Sequence, residues 1–141
     1  MLERYHYPPF QVVVAENSST MMLNSVEMNG TPVHINKALL TDLLKNSWNF
    51  NGFIVSDYQS LLQLTIKYNI PSYREAIRLA ILAGLDMYMV PLDFSFTDIL
   101  YDLVINKEVP EELITGSVRR ILRAKQNLGL FENPYSFPSN A

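Results

Sequence analysis

The sequence predicts an α/β protein on a parallel sheet, with about three strand–helix units and a closing C-terminal helix. Three observations predict it. Short apolar runs alternate with amphipathic helical patterns along the chain, as βαβ units require. Phe53-Ile54-Val55 is a continuous β-branched and aromatic run, the composition of a strand covered on both faces. Helix punctuation stands where the patterns begin and end: Ser72 and Pro110 at starts, Gly84 and Gly129 at ends.

The elements follow in order. A first helix precedes a short apolar strand, Thr20-Met21-Met22-Leu23. A polar turn, Asn24 to Gly30, follows it. A helix fits Asn36 to Lys45, with Leu39, Leu40, Leu43 and Leu44 on one face. Asn51-Gly52 is a turn signal ahead of the Phe53-Ile54-Val55 strand. Ser72-Tyr73-Arg74-Glu75 is a capping box that opens a helix through Ala83. Leu85 to Val90 reads as a third strand. Helices then fit Ser95 to Ile105 and Glu111 to Leu128, the last with Ile114, Val118, Ile121 and Leu122 on one face. Residues 1–135 form one unit, and 136–141, with Pro138 and small polar residues, read as a tail or linker. Three strands alone leave two open sheet edges.

Composition excludes several functions. Lys and Arg total 11 against 14 Asp and Glu, a formal charge of −3, with no basic stripe for nucleic acid. The one basic cluster, Arg119, Arg120, Arg123 and Lys125, reads as a solvated helix face. No run approaches the ~20 apolar residues of a membrane span, and Met1-Leu2-Glu3-Arg4 does not open a signal segment. Cysteine is absent, so there is no disulfide framework or thiolate metal site. No HExxH, Cys/His cluster or phosphate-cradling glycine loop occurs, so no metal or cofactor is expected. Two acceptor triplets for glycosylation begin at Asn17 and Asn29. They matter only in a secreted protein, and the compartment stays open.

Asp57 is the sharpest candidate for chemistry. It directly follows a strand, and parallel α/β folds bind ligands at the carboxyl ends of their strands. A carboxylate there can serve as nucleophile, base or metal ligand. It can equally cap a helix that starts near Tyr58, and local pattern alone favours the cap. The loop Asn24 to Asn36 should share that rim. Its Ser25, Glu27, Asn29 and His34 suit a polyhydroxylated ligand or an ordinary solvated loop. His34 reads as a structural hydrogen-bonder, and His6, among Tyr5, Tyr7, Pro8 and Pro9, as a packing residue. Asp86 sits in an apolar run and needs partners there. Met87 and Met89 read as core.

These residues also carry a resemblance. Phe53-Ile54-Val55-Ser56-Asp57-Tyr58 resembles the nucleophile segment of glycoside hydrolase family 3, an apolar strand ending in Ser/Thr-Asp and an aromatic. Tyr7-Pro8-Pro9-Phe10, Met28-Asn29-Gly30-Thr31-Pro32-Val33-His34, Leu39-Leu40-Thr41-Asp42-Leu43-Leu44 and Ala83-Gly84-Leu85-Asp86-Met87 are similar to family segments as well. So are Val118-Arg119-Arg120-Ile121-Leu122 and Leu128-Gly129-Leu130-Phe131-Glu132-Asn133-Pro134-Tyr135, all in the family's order and spacing.

The resemblance implies the C-terminal part of a TIM-type (β/α)₈ barrel, a fold of about 250 residues when whole. It implies a retaining, exo-acting hydrolase of β-linked glucosides, with a β-glucoside or oligosaccharide as substrate. Asp57 would be the nucleophile, Tyr58 the aromatic beside the leaving-group sugar, and Met22 and Ser25 residues lining the glucose pocket. The family's acid/base glutamate comes from a second domain after the barrel, and further sugar ligands from earlier strands. The chain alone is therefore expected to be a fragment without activity of its own. The other reading is a non-catalytic half-barrel that binds a carbohydrate or a partner, by self-association or by pairing with the rest of a barrel.

Overall fold

The computed structural model describes residues 1–90, 92 and 94–135. A π-helical turn, Leu2–His6, leads into helix α1, Tyr7–Ala15. Pro8 and Pro9 stand in its first turn, where no intrahelical N–H is needed. Strand β1 is Thr20–Met22, and a small hairpin, β2 Glu27–Met28 and β3 Thr31–Pro32, follows. A 3₁₀ turn, Val33–Ile35, and a π-helix, Ala38–Ser47, lead to strand β4, Phe53–Val55. Four helices complete the order: α2 Ser60–Lys67, α3 Tyr73–Ala83, α4 Ser95–Ile105 and α5 Glu111–Asn127. The expected tail, 136–141, lies outside the described residues.

The α/β class and the parallel pairing expected from the sequence are observed. Strand β1 runs parallel to β4, with Thr20 opposite Phe53 and Met22 opposite Val55. The third strand is a correction. Leu85 to Val90 touches β4 through a single parallel bridge, Val55 to Met87. The reason is local: beyond the bridge, the Met89 N–H goes to Ser56 Oγ at 2.8 Å rather than to a strand carbonyl. Tyr88 curls back, its hydroxyl donating to the Leu85 carbonyl at 2.9 Å.

Helix ends follow their residues. Ser72 Oγ accepts the Glu75 N–H at 3.1 Å, while the Glu75 carboxylate turns to Arg78 instead of closing the box. Gly84 ends α3 at φ +102°, where an L side chain would be strained. The helix expected from Asn36 starts later, because the Asn36 side chain accepts the Leu39 N–H at 3.0 Å and acts as a cap. Its turns are also wide: the Trp48 N–H bonds five residues back, to Leu43.

The core lies between β4 and the helices. Leu40, Ile54, Leu61, Leu64, Ile77 and Leu103 are buried within it, each worth about 1.5–3 kcal/mol against exposure. Helix α3 carries the most of it and packs on α2, α4 and α5. Three further expectations are corrected. His6 is exposed, because the π-helical turn that holds it buries no side chain. Met87 is 42% exposed: it pairs with β4 through one bridge only, and it is the adjacent Asp86 that turns inward. In the basic cluster Arg120 is only partly solvated, since it turns inward to Asp86.

Candidate active site

Asp57 stands on the rim that β4 feeds, one residue past Ser56, and every polar group it owns is engaged. Its Oδ2 accepts the Ser25 hydroxyl at 2.8 Å, and its Oδ1 accepts the Tyr58 N–H at 2.7 Å. Its carbonyl accepts the hydroxyls of Ser56 at 2.9 Å and Ser60 at 3.0 Å. Its own N–H donates to His34 Nε2 at 3.3 Å. The residue is held from three directions: the loop after β1 by Ser25, the turn after β3 by His34, and the start of α2 by Ser60.

The chain path supports this local grip. Gln59, two residues on, adopts the left-handed region at φ +50°, uncommon for a residue with a side chain. Its N–H donates to the Met89 carbonyl at 2.9 Å, which ties the rim to the segment after Met87. Helix α2 then begins at Ser60 with no side-chain cap. The cap reading of Asp57 is therefore not the geometry found: its carboxylate bonds Tyr58 and Ser25, and only its carbonyl meets the helix.

Electrostatics favour the ionised acid. The Ser25 hydroxyl, and then the Tyr58 N–H, hold the Asp57 carboxyl below the usual carboxylate range, with His34 adding a smaller push the same way. Each carboxylate oxygen accepts one hydrogen bond, so each keeps a lone pair for another group. Burial pulls His34 below its ordinary value of 6.5, against the opposing pull of Asp57. With Nε2 accepting an N–H, the neutral ring carries its proton on Nδ1.

The other expected residues divide. Ser25 meets Asp57 directly. Tyr58 meets it through the main chain, and the residue is 53% exposed on the rim. Met22, at the end of β1, is exposed and makes no hydrogen bond to Asp57. Glu27 lies in β2, exposed, on the hairpin after β1. Asp86 serves elsewhere. Its side chain is fully buried and accepts from Lys45 at 2.9 Å, Ser117 at 2.8 Å, Arg120 Nε at 3.0 Å and the Ile54 N–H at 2.9 Å. It is a structural hub joining β4, the π-helix and α5. Sequence reasoning gave Ser56 no role beyond its place in the segment that ends in Asp57, and missed Ser60, whose only local signal is its position three residues on. Hollows among the described residues lie along α5 and at the opposite end of the sheet, and none of these is lined by Asp57.

A half-exposed, ionised carboxylate held by fixed donors at a strand's carboxyl end is equipped for nucleophilic attack. A general acid would have to come from another group. Comparison with known proteins bears on that arrangement. The model of the glycosyl hydrolase family 3 N terminal domain matches residues 1–124. A lysosomal beta glucosidase of Dictyostelium discoideum is 43% identical over the whole chain, and the chain spans 17% of that protein. A putative beta-xylosidase of Formosa agariphila is 38% identical over 92% of the chain, again 17% of that protein. The solved beta-glucosidase of Listeria innocua superposes with a TM-score of 0.90 at 26% identity, over 99% of this chain and 19% of that one.

Proposed function

The chain belongs to glycosyl hydrolase family 3, and on that premise we propose that Asp57 is the nucleophile of a retaining β-glucosidase-type hydrolase. The observation that carries the proposal is the ionised Asp57 carboxylate, oriented by Ser25 and Tyr58 at the carboxyl end of β4. Asp57 attacks the anomeric carbon as the bond to the leaving oxygen breaks and an acid protonates that oxygen. Water then attacks the same carbon, gives its proton to the same acid/base group, and releases Asp57 with the configuration retained. Tyr58 and Met22, both exposed on the rim, are the surfaces against which the sugars would lie.

In retaining enzymes the two carboxyls stand about 5–5.5 Å apart. We assign the second to a part of the relatives that this chain does not span. The chain alone should then be slower by roughly 10²–10⁴-fold, the usual contribution of general acid–base catalysis. The relatives include a beta glucosidase and a putative beta-xylosidase, so the substrate class is a β-linked glucoside, with a xyloside as the competitor. The test is hydrolysis of an aryl β-glucoside by the chain alone and combined with the remaining segments of a relative. Asp57→Asn should abolish the activity; full activity in that variant contradicts the assignment.

A second reading rests on the sheet edges. Among the described residues, β1 and the Met87 segment each pair on one side only, both with β4. Such edges fit further parallel strands, from a barrel remainder or a second copy. Sedimentation separates the two: association at micromolar concentration favours the second copy, and a monomer that binds an added barrel remainder favours the first.

A further inference from the structure

We propose that His34 is a positioning residue for Asp57, fixing its main chain by accepting the Asp57 N–H on Nε2. The proposal rests on the reading of Asp57 as nucleophile. Strand β4 ends at Val55, and the last ladder bond beside it is the Ser56 N–H to the Met87 carbonyl, at 2.9 Å. The next N–H, that of Asp57, has left the ladder. A main-chain donor without a partner costs about as much as a lost hydrogen bond. His34 supplies the acceptor that a neighbouring strand would have supplied.

Ser25 and Tyr58 aim the carboxylate, and Ser56 and Ser60 hold the carbonyl. Only His34 holds the N–H, so it sets the rotation of the peptide from which the carboxylate hangs. The ring is 2% exposed, so it is fixed by packing as well as by the bond.

The acceptor exists only in the neutral ring. An imidazolium presents N–H at both nitrogens and cannot accept. The charged group facing the ring is Asp57 itself. Helix α3 packs against the same turn, and its charges are already paired: Glu75 with Arg78, and Arg74 with Glu108. On acidification, protonation of His34 should therefore release the Asp57 main chain.

The test uses the full chain in solution. Amide exchange at Asp57 is followed by NMR against pH, with the imidazole nitrogen shifts of His34 read in parallel. Protection of the Asp57 amide, corrected for intrinsic exchange, should fall as His34 takes up its proton. The loss should be roughly two- to tenfold, the span of one net hydrogen bond. His34→Gln keeps an acceptor oxygen and does not titrate, so protection should persist at both ends of the range. His34→Ala should lose it at every pH while the Ile54 and Leu61 amides stay protected. An Asp57 amide indifferent to His34 titration overturns the proposal, as does the same pH response in His34→Gln. If His34→Ala does not fold, the wild-type titration and the Gln variant still decide. Covalent labelling of Asp57 by a fluoroglucoside reports separately. Coupling without labelling sinks the nucleophile reading alone, and labelling without coupling sinks the His34 proposal alone.

Discussion

Replacing Asp86 by alanine removes the acceptor that four groups share. Lys45 and Arg120 have side chains only 14% and 27% exposed, so neither can turn fully into water. Burial already pulls the Lys45 amine downward, and Asp86 is the partner that opposes it. Breaking a buried pair by deleting one partner costs about 3–5 kcal/mol. With a urea slope of about 2 kcal/mol/M for a domain of this size, the midpoint should fall by about 2 M at unchanged slope. Asp86→Asn keeps an oxygen for the Ile54 N–H and loses only the charge, so its loss should be about half. Lys45→Met should cost less still, since Arg120, Ser117 and Ile54 continue to satisfy Asp86. The readout is urea unfolding followed by tryptophan fluorescence, from Trp48. A midpoint shift below about 0.3 M for Asp86→Ala refutes the hub, and equal losses for Ala and Asn refute the ranking of its parts.

Three further outcomes follow from the geometry. Gly84→Ala places a Cβ against the Thr41 hydroxyl at a φ of +102°, and should cost about 1–3 kcal/mol in the same assay. Ser25→Ala removes the largest cause of the lowered Asp57 titration, so carboxyl carbon NMR should find Asp57 titrating at higher pH than in wild type. His34 should also tilt stability with pH. Its folded value lies below 6.5, so on acidification the unfolded chain takes up the proton first. The stability is whole above about pH 6.5, declines as pH falls toward the folded value, and is level below it. His34→Gln should remove that part of the slope in urea midpoints measured across the range.

Legibility followed the range of the interactions. Helices α3, α4 and α5 were readable because their caps and periodicity are local: Ser72 caps α3 as expected, and α4 runs over Ser95–Ile105 as read. Strand β4 was readable because its three residues are apolar and β-favouring, with Ile54 buried in the core. The hairpin at Asn29-Gly30 reads as loop in the sequence because its strands are two residues long, too short for alternation to show. Helix α2 lacks any capping side chain and follows a left-handed Gln59, so no signal marks its start. Leu85 to Val90 has the apolar run of a strand, but Asp86 is drawn to partners 31 to 41 residues away and Tyr88 to its own turn. At the site, the resemblance placed Asp57, whereas His34 reaches it across 23 residues with no local pattern to announce it.

As nucleophile, Asp57 would form a covalent bond to the sugar. A 2-deoxy-2-fluoro-β-glucoside with a dinitrophenyl leaving group traps that bond, because the leaving group departs without an acid and so isolates the nucleophile. The protein is incubated with the reagent, as the chain combined with the remaining segments of a relative, then digested, and the peptides are weighed by mass spectrometry. One fluoroglucosyl group is expected on the peptide that carries Asp57, and none after Asp57→Asn. A label on a different carboxylate, or equal labelling of the Asn variant, would contradict it.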